Sequence, residues 1–212
     1  MESTARLRVV VLLILIVVGL VSSLGTAWRT GDWEGLFLNL GTEMLGAVAT
    51  YVLLELFIGG RERREAKKTT LIAQMGSRVH DVAIAAVEEL RRRGWLTNGS
   101  LQRIALIMAN LRGANLFRAN LQRANLSAAN LQEAFLSWAD LQGVSLEDAK
   151  LQEADLTMAN LQGANLAGAN LQNAKFDEYT TLPDGTKWTP DTETARFTDP
   201  DRPDFWRPEE PS

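Results

Sequence analysis

The chain has no cysteine, one histidine and two tyrosines in 212 residues. Disulfides and cysteine-ligated zinc are thereby excluded, and a nucleophile–base constellation has almost nothing to draw on. The lone His80 stands beside Asp81, and sequence neighbours on a helix face different ways, so the pair is no catalytic dyad by spacing. Asp140, Asp148 and Asp155 follow neither metal-ligand nor paired-acid spacing. No catalytic residue, cofactor or metal is therefore expected. Net charge is also scarce, −4 overall, but it is unevenly spread. Residues 1–60 carry −2, 61–100 carry +4, 101–176 carry zero and 177–212 carry −6. Such a split divides the chain into pieces of different chemistry.

What is present is a period of five. From 109 to 178, Leu recurs at 111, 116, 121 and onward to 171, and Phe176 closes a series of fourteen. Two residues before each stands Ala, with Val144 the exception. Steps of five rotate a side chain by about 140° on a straight helix and flip it to the other face of a straight strand. Only a chain that bends once per repeat keeps every Ala–Leu pair on one side. Such a chain coils, with Ala and Leu inside and three positions outside.

Ala-Asn-Leu at 109–111, 114–116, 119–121, 124–126, 129–131, 159–161, 164–166 and 169–171, with Ala-Asp-Leu at 139–141 and 154–156, resembles the pentapeptide-repeat family. The resemblance implies a right-handed quadrilateral β-helix with four pentapeptides per coil. Phe135, Ser145, Lys150 and Lys175 depart from the pattern at the Asn position and alter only the surface. Seventy residues make three and a half such coils, a rod roughly 17 Å tall at ~4.8 Å per coil.

Ahead of the repeats lie two apolar runs, Val9–Leu24 and Leu36–Ile58. About twenty apolar residues span a bilayer as a helix. The first run is marginal in length and the second sufficient. Arg6 and Arg8 precede the pair, Arg61, Arg63, Arg64, Lys67 and Lys68 follow it, and the loop between holds only Arg29. The positive-inside rule then places both ends in the cytoplasm, on a two-span hairpin in the cytoplasmic membrane. A rival reading makes the first run a signal peptide cleaved near Gly25-Thr26-Ala27. Asn39, Glu43 and Glu55 are the polar residues of the second run, and ionisable groups there are candidate functional positions. Asn39 and Glu43 share a helix face, which suits a clasp within the hairpin or a homo-oligomer, or else a transport or sensing path.

Residues 61–96 read as a helix with one apolar stripe from Leu71 through Leu90. The stripe is expected to cover the open first coil, since a bare solenoid end is an unpaired strand edge. After Phe176, Leu182-Pro183-Asp184-Gly185 signals a turn, and Trp188, Phe197, Phe205 and Trp206 punctuate an acidic tail. Four segments result: a transmembrane hairpin over 1–60, a basic juxtamembrane and amphipathic capping helix over 61–100, the β-solenoid over 101–178, and an acidic aromatic cap over 179–212.

On the solenoid surface a twenty-residue coil stacks Gln102, Gln122, Gln142 and Gln162 in one column, suited to amide ladders. It also stacks Arg118, Trp138 and Met158, with Phe117 and Phe135 on the same wall. This is the largest outward apolar cluster of the repeats and the expected protein-docking surface, with Arg118 over the Trp138 ring. The family resemblance also implies a possible DNA-mimic role against DNA gyrase. That role needs a strongly negative rod, whereas 101–176 holds six basic and six acidic residues. No nucleic-acid partner is expected. The sequence therefore points to a non-enzymatic interaction or scaffold module in the membrane, with an unnamed protein and the lipid bilayer as partners.

Overall fold

A computed structural model describes residues 10, 14, 16–18, 21, 22, 24, 25, 28–31 and 33–207, giving only the backbone of 33–41, 43, 44 and 47. Two compact units are present, residues 1–66 and 67–212. The described residues among 10–30 are helical, and Gly31, which follows them, has a positive φ of 74°. Helix α1 (Trp33–Met75) then runs for 43 residues. It carries through Gly59-Gly60 and past the 60/61 boundary of the sequence reading. Two helical glycines cost about 1 kcal/mol each relative to alanine, and the Arg, Glu, Ala and Lys that follow are strong helix formers. Leu45, Leu53, Leu56 and Phe57 are exposed along it. Among the described residues no helix is long and apolar enough to cross a membrane.

The helix expected over 61–96 is interrupted. α1 stops at Met75, and α2 (His80–Arg92) begins after four intervening residues. At Gly76 a Cβ would lie 3.4 Å from the Ala73 carbonyl and 3.6 Å from Leu106 Cδ2, so the chain passes close to the first coil there. Beyond it the Ser77 carbonyl accepts the Asn110 N–H at 2.9 Å, and Ser77 Oγ accepts the Val79 N–H at 3.0 Å. The break thus supplies backbone partners to the first rung, which an unbroken helix has none to spare for. Ala83, Ala86, Val87 and Leu90 form the buried stripe of α2. Gly94, with φ of +69°, ends it in a Schellman motif: Trp95 N–H reaches the Leu90 carbonyl and Gly94 N–H reaches that of Arg91, both at 2.9 Å. Trp95 and Leu96 follow as buried residues of the same core.

From 101 onward the backbone coils with a period of twenty. Parallel bridges join Ala105 to Asn125, Asn110 to Asn130, Asn115 to Phe135 and Asn120 to Asp140, and each column repeats down the rod. Four pentapeptides therefore make one coil. Every bridge is a single residue pair, because each Leu is followed by a tight turn that leaves only the Asn position extended. The turn closes with an N–H to C=O bond from Ala to the preceding Leu, as in Ala114 to Leu111 at 3.0 Å. Its third residue has positive φ, from Arg103 at 57° through Trp138 at 61° to Asn173 at 58°, the signature of a type II turn. Side chains at the Asn position serve the next corner. The Oδ1 of Asn125, Asn130, Asp155 and Asn165 each accepts the N–H two residues on, at 3.0 to 3.2 Å. Leu101 to Leu166 and Ala109 to Ala169 are inside, the least buried of them 6% exposed.

The far end departs from the period. Asn160 bridges to Thr181, twenty-one residues on, because one extra residue enters after Phe176. Asp177 Oδ1 takes the Met158 N–H at 2.9 Å, the place a rung carbonyl holds higher up. Thr181 then pairs antiparallel with Lys187 around the Pro183-Asp184-Gly185 turn. Helix α3 (Ala195–Thr198) lays Phe197, 2% exposed, on the core, and the Thr198 carbonyl accepts the Gly168 N–H at 2.7 Å. Trp188 stacks on Phe176 and Trp206 meets Phe197 edge-on, each at 6.1 Å between centroids. Aromatic faces close the last coil, where another rung would otherwise bond.

Candidate functional site

One corner of the solenoid carries aromatic groups outward. Asn115, Phe135 and Asp155 stack as bridged partners, and the corner that follows holds Phe117 and Arg118, then Ser137 and Trp138, then Thr157 and Met158. Backbone bonds fix the stacking: Arg118 N–H to the Ser137 carbonyl and Trp138 N–H to that of Thr157, both 3.0 Å. All five residues expected at the docking wall therefore share this edge. The Arg118 guanidinium lies 5.3 Å from the Phe117 ring centroid and 5.2 Å from that of Trp138. Phe135 is 53% exposed and Trp138 51%, whereas Met158 is half-buried. Tyr179, 57% exposed and one coil below, extends the edge, and its position there follows from the extra residue that the repeat pattern does not announce.

Arg91 of α2 also belongs to this edge and was not legible as a site residue. It donates to both the carbonyl oxygen and Oδ1 of Asn115. With Asn115, Phe117, Phe135 and Ser137 it lines a hollow of about 260 Å³. Burial holds the Arg91 guanidinium below its ordinary value. A second hollow of about 460 Å³ lies on the other side of Phe135, between Glu133, Glu153, Asp155 and Lys175. Asp155, the carboxylate stacked below Phe135, is already engaged. Burial raises the pKa of Asp155, but hydrogen bonds from Ser137 and Thr157 outweigh it and hold the carboxyl below the usual range. The edge thus offers the Arg91 and Arg118 guanidinium groups and four rings, with Asp155 turned to structural work.

Glu55 is half-buried within α1 in the first unit, and the side chains of Asn39 and Glu43 lie outside the described ones. His80 opens α2, exposed. Among the described residues no three His, Cys, Asp or Glu groups are placed to hold a metal. The glutamine column forms a single amide link, Gln102 Nε2 to Gln122 Oε1 at 3.0 Å, because Gln122 turns its own amide to Asp140.

The family model for pentapeptide repeats matches residues 109–148 and 145–178, with eight copies. Similar solved structures include a pentapeptide repeat protein of the cyanobacterium Cyanothece, 38% identical over 38% of this chain and 58% of that one, TM-score 0.34. Another, from the thylakoid lumen of Arabidopsis thaliana, is 31% identical over 44% of this chain and 61% of that one, TM-score 0.37. A third is HetL of the cyanobacterium Nostoc, a pentapeptide repeat protein involved in heterocyst differentiation regulation, 38% identical over 42% of each chain, TM-score 0.25. The chain spans about three fifths or less of the length of these three proteins. No curated protein matches it significantly. Repeat for repeat over 109–178, with a twenty-residue coil and an Ala–Leu interior, this chain carries a pentapeptide-repeat domain.

Proposed function

We propose that the protein is a non-enzymatic interaction module, anchored in the cytoplasmic membrane by its N-terminal apolar runs, that presents a rigid solenoid edge to a protein partner in the cytoplasm. One observation carries the docking reading: Arg118 held between Phe117 and Trp138 on an edge where Trp138 is half-exposed. An arginine framed by rings loses little freedom on binding, and aromatic and arginine anchors dominate interface energetics. Rows of buried Leu, each contributing roughly 1.5–3 kcal/mol, keep the edge stiff while its outward residues vary. The membrane reading rests on the two apolar runs and the basic segment 61–68, and is supported by the exposed apolar side chains of α1.

A photo-crosslinking residue at position 138 of the full chain in its native membrane tests the docking edge, with Asn170 on another face as control. A discrete protein adduct from 138 and none from 170 supports the reading. Adducts only to the chain's own tail sink it. Replacing residues 1–60 with an unrelated two-span anchor should preserve the adduct. Loss of the adduct with membrane insertion intact would move attention to Glu43.

A further inference from the structure

The corner that carries the glutamine column is distinct from the aromatic edge. There Gln102, Gln122, Gln142 and Gln162, with Arg103 and Arg123, line a groove of about 620 Å³. The Arg103 N–H bonds the Gln122 carbonyl at 2.9 Å and the Arg123 N–H bonds that of Gln142 at 2.8 Å. The two arginines are therefore successive rungs, ~4.8 Å apart along the rod. Neither guanidinium has a hydrogen-bond, ion-pair or ring partner among the described residues. No carboxylate lines the groove. The one in nearest register, Asp140, is occupied by the Gln122 amide at 2.5 Å and the Gln142 N–H at 3.3 Å. Like charges on adjacent rungs repel, and an anion between them removes the repulsion.

The floor of the groove is shaped for an occupant. A Cβ at Gly143 would lie 3.4 Å from Arg123 Cγ, so the arginine stem lies within van der Waals reach of the bare backbone there. Gly163, one rung lower, continues that bare strip: a Cβ there would meet only the Gly143 backbone, at 3.8 Å. On its flank the amides of Gln142 and Gln162 have no side-chain partner among the described residues, unlike those of Gln102 and Gln122. The groove thus has a cationic half and a half of free amides over backbone.

We propose that this groove binds a phosphate ester, its anion between Arg103 and Arg123 and its hydroxylated body over Gly143 and Gly163 against the Gln142 and Gln162 amides. Guanidinium forks match a tetrahedral oxyanion, and an amide both donates to and accepts from hydroxyls. A phospholipid headgroup and a soluble sugar phosphate share this chemistry.

The test follows arginine Nε resonances of the full chain, first in uncharged detergent micelles titrated with glycerol 3-phosphate. It then compares nanodiscs of phosphatidylcholine with nanodiscs that also contain phosphatidylglycerol. Saturable shifts at Arg103 and Arg123, with Arg112 and Arg118 still, are expected. Arg103→Gln and Arg123→Gln should each weaken the response about tenfold, the loss of one charged hydrogen-bonding partner. A response to glycerol 3-phosphate identifies a soluble ester, and one confined to phosphatidylglycerol identifies a headgroup. Equal shifts at all four arginines, or none in either medium, overturn the proposal. So does binding untouched by both substitutions.

Discussion

Substitution of Leu136 tests the inside–outside assignment most directly. Leu136 has no exposed surface and sits between Leu116 and Leu156 in its column, one coil above and one below. Truncating such a leucine to alanine removes its transfer free energy and leaves a cavity, about 2–5 kcal/mol together. The coils are single-residue rungs with little room to collapse into the gap, which favours the upper part of that range. Leu136→Asp adds an unpaired buried carboxylate. Together these exhaust the ~5–15 kcal/mol that holds a typical domain folded. Trp138, two residues away and 51% exposed, provides the contrast. Its replacement by Ala forfeits the ring contact with Arg118, worth about 0.5–1 kcal/mol at an exposed site. Hydrogen exchange over 101–178, read alongside thermal melting, separates the cases. Leu136→Asp should abolish protection throughout the coils, Leu136→Ala should lower the melting temperature strongly, and Trp138→Ala should change neither appreciably. Normal protection in Leu136→Asp would refute the assignment of Leu to the interior.

Two further outcomes are specific. Asp177 feels a burial penalty, but bonds from the N–H groups of Met158, Thr180 and Tyr179 and from the Thr180 hydroxyl outweigh it, so its folded pKa lies below the ordinary value. A depressed carboxylate contributes stability present above its unfolded pKa of ~3.9 and lost as pH falls through the folded one. Melting temperature should accordingly drop below about pH 4, and Asp177→Asn should be less stable at pH 7 with a flatter acid limb; parallel acid limbs would remove Asp177 from the account. Gly168→Ala and Gly113→Ala share the positive-φ cost, with φ of 67° and 62°, but only at 168 does a Cβ also meet a neighbour, the exposed Asp148 carboxylate, which must swing aside. Chemical denaturation should show the 168 variant to be the less stable, and a second substitution, Asp148→Ala, should close the gap.

The interior was readable from sequence because a five-residue period admits one solution, a chain bent at every repeat, and Val144 fits it as well as Ala does. The Arg118–Trp138 contact was readable for the same reason, since the twenty-residue coil turns sequence distance into a column. What escaped were features that break a period. Gly76 within a helical pattern gives no sign of how closely the first coil approaches, so the interruption before His80 depends on a tertiary contact. Arg91 looks like any basic residue at a helix end until α2 is seated over Asn115. The glutamine ladder stops after one link because Asp140, at the Asn position of its repeat, competes for the Gln122 amide more strongly than a neutral glutamine does. Composition shows both groups but not which one wins.

The twenty-residue closure has a geometric consequence for how such a rod is lengthened. Adding a whole coil lengthens the rod by one rung and returns the exit to the same corner. Adding a single pentapeptide moves the exit one corner onward, about a quarter turn around the axis. The extra residue between Phe176 and Thr181 then breaks phase, so a following segment finds no template to continue. Repeat number therefore encodes two quantities: whole coils set a length, and the remainder sets a bearing. Insertion of five residues above Leu121 should swing the Phe197 cap to the neighbouring wall while leaving every core contact in kind.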